Sequence, residues 1–243
     1  MCHGELPRVC ELICLIEDQS APSAYFQDFE NSVRNDPEKK QVWLAREAEL
    51  SKLDENAWDY LKNEARPYLT KRDPKRGWAQ LISILNQARA YGYLQSIGCS
   101  TPRFIPSDSK KTPDLEADLN GGKVLCEVKT IGPSDEEVTA RCNNTVRTTK
   151  DCLETGFCKK LSSTLEQAKN QMEAYDGGGS ARQIVFAIIN FNDLWAQYKE
   201  NYYRQVDDYL GKNPVPGIEI VFFNQRTPFH AQVRMSHATV VNE

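Results

Sequence analysis

Three side chains within one stretch of the chain have types and spacing suited to phosphoryl chemistry. Asp114 follows Pro113 at the head of an alternating segment, and Glu127 and Lys129 lie two residues apart in the next. On a strand, residues two apart share a face. Between the segments stands Asn120-Gly121-Gly122, a tight-turn signal that returns the second antiparallel to the first. Such a turn carries Asp114 to the same end of the pair as Glu127 and Lys129. Two converging carboxylates make a hard, oxygen-rich site for Mg²⁺ or Mn²⁺. A neighbouring ammonium can align or deprotonate a water and offset charge on a phosphate. Phosphodiester hydrolysis needs this set: Lewis acid, activated water and a stabilised leaving oxygen. The plainer alternative is an exposed strand pair plus a turn residue after Pro113. Glu116 and Asp118 share Asp114's face, either as solvated acids or as outer support for a metal.

The elements that must position these residues are legible from periodicity. Residues about 21–69 read as helices, with Asp36 before Pro37 and Asp54 as N-caps. Lys71-Arg72-Asp73-Pro74-Lys75-Arg76 is a compact basic link. A stronger helix follows over about 77–97, with Trp78, Leu81, Ile82, Leu85, Ala88 and Leu94 as its apolar stripe and Gly98 to end it. Thr101–Pro106 is short and extended. Leu115, Ala117 and Leu119 alternate with acids, and the strand Lys123–Thr130 alternates again. Residues 132–158 are polar, irregular and long for a connection. A helix over 159–176 stops at Gly177-Gly178-Gly179. Ile184–Ile189 is a continuous apolar run, the mark of a strand buried on both faces. A helix over Asp193–Leu210 and a strand over Ile218–Phe223 complete the order. The expectation is an α/β sandwich with a mixed sheet, preceded by helices, and divided into an acidic helical region 1–70 and a core 71–243.

At Pro113-Asp114, then twelve residues, then Glu127-Val128-Lys129, the sequence resembles the PD-(D/E)xK nuclease superfamily. The helix at 77–97 looks like that family's first core helix and the one at 159–176 like the helix after its third strand, so the likeness spans about 77–190. The resemblance implies a restriction-endonuclease-like three-layer sandwich and an Mg²⁺- or Mn²⁺-dependent endonuclease, acting on DNA more than RNA. It implies that Asp114 and Glu127 hold the metal, that the backbone carbonyl of Val128 completes the inner shell, and that Lys129 orients the hydrolytic water. Gln171 and Tyr175 fit a Q-x-x-x-Y pattern found in some members, with Gln167 one turn earlier, and would touch nucleic-acid backbone. Gln87 stands where many members carry a metal-binding Glu, a departure that leaves open whether one metal or two bind.

Composition sets the outer bounds. The chain has 243 residues, of which 40% are hydrophobic, enough to bury a core. Residues 1–64 hold 7 Lys/Arg against 14 Asp/Glu, and the remainder 23 against 20. That balance argues against coating nucleic acid by bulk charge and leaves room for a local basic groove. Candidate phosphate contacts are Lys110 and Lys111 before the motif, Arg141, Arg147, Lys150, Lys159 and Lys160 after it, and Lys71, Arg72, Lys75 and Arg76 in the basic link. The opening residues lack the basic start of a signal peptide, so an intracellular, cytoplasmic location with reduced thiols is expected. Cys2, His3, Cys10 and Cys14 match no common zinc spacing. A homodimer is compatible with all of this. The rival from another class is a catalytically inactive module that keeps the fold to bind nucleic acid or a protein partner.

Overall fold

The structure, a computed structural model, describes residues 4–16, 25–106, 111–132, 138–139, 151–153, 155–189, 198–224 and 238–240. It divides into two compact units, Met1–Tyr93 and Leu94–Glu243.

The first unit is helical: α1 (Pro7–Cys14), α2 (Phe29–Asn35), α3 (Pro37–Leu50), α4 (Glu55–Ala65) with a 3₁₀ turn (Arg66–Tyr68), and most of α5 (Ala79–Ser96). Both predicted caps form. Asp36 accepts from the Lys39 N–H at 3.0 Å and Asp54 from the Ala57 N–H at 2.8 Å, satisfying amide donors that the first helical turn leaves open. The helix α1 lies in a segment for which periodicity gave no helix. Its first amides are instead satisfied from afar, since Glu47 accepts from the N–H groups of Arg8 and Val9 at 3.1 and 2.9 Å. Glu49, 2% exposed, lies between Arg46 at 2.7 Å and Arg89 of α5 at 2.6 Å. This pairing draws α5 into the helical unit, whereas the sequence reading put the helix with the sheet and the boundary at 70/71. The stripe expected on α5 is also wider than expected: Asn86, Ala90, Tyr91 and Tyr93 are buried alongside Leu81, Leu85, Ala88 and Leu94.

The second unit is built on a mixed sheet. Its strands are β1 (Ser100–Phe104), β2 (Leu115–Leu119), β3 (Gly122–Ile131), β4 (Arg182–Ile189), β5 (Glu219–Asn224) and β6 (Ala238–Val240), in spatial order 1-2-3-4-5-6 among the described residues. The pairs β1/β2 and β2/β3 are antiparallel, and β3/β4, β4/β5 and β5/β6 are parallel. Helices α6 (Thr155–Asp176) and α7 (Lys199–Lys212) lie in the β3–β4 and β4–β5 crossovers, as parallel connections require. Leu161, Leu165, Ala168 and Met172 of α6 pack with Val206 and Leu210 of α7 onto Leu125, Val185, Ala187 and Phe222. All six residues of Ile184–Ile189 are buried, as the apolar run predicts. The strand β6 was not anticipated, and α6 starts at Thr155, four residues earlier than periodicity placed it.

The β2–β3 turn has a simple local cause. Leu119 pairs with Gly122, so Asn120 and Gly121 alone span the reversal, with φ of +52° and +80°. Positive φ at both positions is the type I′ turn, whose twist suits two antiparallel strands and which Asn-Gly favours. Gly121→Ala is therefore expected to lower stability by about 1–2 kcal/mol, the cost of an L-residue in the left-handed region. Gly122→Ala has no positive φ, and its added Cβ would lie an ordinary 3.5 Å from the Leu119 carbonyl, so it should be neutral or mildly stabilising. Urea unfolding of both variants checks the contrast.

Candidate active site

The β2–β3 register pairs Leu115 with Cys126. One step further along the same ladder sets Asp114 opposite Glu127, where the sequence reading placed it. The backbone of Asp114 is held by β1, its carbonyl accepting from the Ile105 N–H at 3.0 Å. Its Oδ2 accepts from the Val128 N–H at 2.7 Å. The Asp114 and Glu127 carboxyls lie close enough to perturb each other's ionisation. Lys129 donates from Nζ to Glu127 Oε1 at 2.5 Å, and Gln171 Nε2 of α6 donates to Glu127 Oε2 at 3.1 Å. Gln171 also donates to the Thr112 carbonyl, tying α6 to the segment that enters β2. The five groups surround one end of the hairpin. Glu127, Lys129 and Gln171 open into a cleft of about 1000 Å³, also lined by Lys111, Thr112, Gln167, Asn170, Ala174 and Tyr175.

Burial sets the electrostatics of the pair. Glu127 is 3% exposed, and loss of solvent raises its carboxyl above the ordinary range, opposed chiefly by the Lys129 charge. Asp114 is pushed up to about 8, first by desolvation and then by the neighbouring Glu127 charge. Two like charges with little water between them cannot both ionise cheaply at neutral pH. The Lys129 ammonium offsets one of them and leaves the other. Carboxylate oxygens accept more than one partner each, so the Val128, Lys129 and Gln171 donors do not exhaust the pair.

Pro113 gives the site a further oxygen. Extending the register one step beyond Asp114 sets Pro113 opposite Val128, and proline has no N–H to donate to the ladder. A strand residue's N–H and C=O point to the same edge, and the Val128 N–H points at Asp114. By that parity the Val128 carbonyl points to the same edge of β3 as its N–H, and Pro113 has no N–H to offer it. Two carboxylates, with a main-chain carbonyl at the same strand edge, could supply the oxygen-only donors that suit a hard divalent cation. Among the described residues, no point gathers three or more His, Cys, Asp or Glu side chains.

The remaining predicted residues divide unevenly. Lys111 lines the cleft, and Tyr175 does so with Lys123 Nζ 5.1 Å from its ring centre. Lys159 is exposed on α6, while Lys160 donates to the Gly132 carbonyl at 3.1 Å, a contact that fastens the end of β3. Lys110, Arg147 and Lys150 lie outside the described residues, as do Arg141, Cys2 and His3. Cys10 is buried and Cys14 exposed. Glu116 pairs with Arg103 at 3.0 Å and Lys123 at 3.4 Å, a cross-strand ladder rather than a metal shell. Thr112 and Asn170 were missed. Asn170 follows Gln167 by three residues on the helix face that already carried Gln171, whereas nothing local marks the Thr112 carbonyl.

Comparison with protein-family models, with curated proteins and with solved structures returns no match. No helix among the described residues is long and apolar enough to cross a membrane.

A pH dependence follows from the raised carboxyls. A carboxyl whose pKa is higher folded than unfolded favours the folded state while protonated, so this contribution is complete at low pH. It is lost as pH rises from about 4 through about 8. Asp114→Asn removes the like-charge conflict. Thermal melts in a chelating buffer should show the variant melting on the order of 3–6 °C above the parent at pH 8, with the difference shrinking toward pH 4.

Proposed function

We propose that the protein is a metal-dependent nuclease hydrolysing phosphodiester bonds of nucleic acid, an endonuclease on DNA, with Asp114 and Glu127 as metal ligands and Lys129 aligning the attacking water. One observation carries the reading: the half-buried Asp114 carboxylate, the buried Glu127 carboxylate and the Lys129 ammonium, brought together by one turn, converge at a hairpin end where Glu127 and Lys129 line an open cleft. The order α5, β1, β2, β3, α6, β4, with an antiparallel hairpin followed by a parallel crossover, supports a restriction-endonuclease-like fold.

Asp114, Glu127 and the Val128 carbonyl would hold Mg²⁺ or Mn²⁺. A bound divalent ion supplies Lewis acidity, polarising the phosphoryl oxygens and stabilising the leaving oxygen. The chain's own residues do the rest. Lys129 sits two residues along β3 from Glu127 with its side chain one-quarter exposed, so its Nζ reaches both the carboxylate and the cleft. There it can orient a water for in-line attack and offset charge on the phosphate. Gln171 fixes the second Glu127 oxygen and, through Thr112, the approach to Asp114. Lys111 at the cleft wall supplies a phosphate contact.

The direct test incubates the full chain with labelled single- and double-stranded DNA and RNA in Mg²⁺ or Mn²⁺. Cleavage of DNA is expected, with a loss of about 10²–10⁴-fold in Lys129→Ala and no detectable activity in Asp114→Ala. Calorimetry with Mn²⁺ should show binding that vanishes in the Asp114→Ala/Glu127→Ala double variant. A parent that neither binds Mn²⁺ nor cuts any substrate is the inactive module instead.

A further inference from the structure

The basic link of the helical unit forms a structured loop rather than a loose connection. Asp73 and Gly77 exchange main-chain hydrogen bonds, Asp73 N–H to Gly77 O at 2.8 Å and Gly77 N–H to Asp73 O at 2.9 Å. Gly77 takes φ of +61° to close the turn. The Asp73 carboxylate turns back into the loop, its Oδ1 accepting from the N–H groups of Lys75 and Arg76 at 2.8 and 2.6 Å. The one acid of the segment is therefore engaged with the main chain. Four cations, Lys71, Arg72, Lys75 and Arg76, remain on a loop of six residues. Lys71, Arg72 and Lys75 are exposed, and no ion pair of Lys71 or Arg72 with an acid is formed among the described residues. The loop borders a cleft of about 270 Å³ whose wall includes Tyr68, Lys71, Arg72, Arg76 and Gln80. Residues 1–64 of the same unit carry twice as many acids as bases, so this charge is local and stands against an acidic background.

We propose that this loop is a second nucleic-acid contact, in which Lys71 and Arg72 bind backbone phosphates beside the Tyr68 ring. Clustered cations on a preformed loop neutralise phosphates without reading sequence, and an aromatic ring beside them accepts a stacked base. The proposal rests on the nucleic-acid reading of the hairpin site but not on its catalysis. A protein that binds DNA through this loop and cuts nothing would sink the nuclease reading and leave the contact standing.

Lys71→Glu/Arg72→Glu tests it in the full chain, with Arg34→Glu/Lys39→Glu, an equal charge change on exposed residues of the same unit, as the control. Fluorescence anisotropy of a 20-mer duplex in a chelating buffer, from 50 to 250 mM salt, reads both affinity and its salt dependence. The loop variant should bind at least about 10-fold more weakly, with the salt slope reduced by about 2. The control should stay within about 2-fold, and both should melt with the parent. Equal weakening in the control, unchanged affinity in the loop variant, or a parent that binds vesicles containing 30% phosphatidylserine and not DNA, each overturns the proposal.

Discussion

Two carboxylates share one poorly solvated end of a hairpin, and the local structure around them serves to hold that unfavourable arrangement. Removing an ionised carboxylate from water costs several kcal/mol even after relaxation, and two side by side repel each other as well. The offsetting contacts in the structure come from two elements, β3 and α6. Val128 of β3 gives a main-chain N–H to Asp114, Lys129 gives a charge to Glu127, and Gln171 of α6 gives an amide to the other Glu127 oxygen. Asp114 nevertheless remains well above its ordinary range. The pair therefore favours keeping one proton at neutral pH, as two carboxyls sharing a poorly solvated site do.

Pro113 shows how a single residue type serves both backbone and chemistry. Placed beyond the last β2–β3 pair, it ends the ladder because it cannot donate. The same lack leaves the Val128 carbonyl without a Pro113 donor while the Val128 N–H is taken by the Asp114 side chain. A residue with an N–H would compete for the oxygen. The fold around this point is correspondingly firm: β3 is paired along its length by β4, and Lys160 secures the carbonyl of Gly132 just past its end.

The helical unit handles buried charge by a different route. Glu47 and Glu49, 5% and 2% exposed, are matched by the α1 amides and by two guanidinium groups. There the acids link elements far apart in sequence, and the charges are balanced. The contrast with the hairpin is physical: acids that meet cations hold structure together, and acids that meet each other are raised out of their ordinary range.

Much of the hairpin site was legible because its information is local. Asn-Gly dictates the turn, two-residue alternation dictates the face, and together they put Asp114 beside Glu127 and Lys129 before any fold is known. Helix caps at Asp36 and Asp54 and the buried run Ile184–Ile189 are equally local signals. What could not be read depended on partners distant along the chain. The helix α1 is held by Glu47, some forty residues away; α5 joins the helical unit through Glu49; Gln171 meets both Glu127 and the Thr112 carbonyl; Lys160 is turned to Gly132. In those cases the residue type allows several partners. Only the packing of whole elements, which sets distance and excludes water, selects one of them.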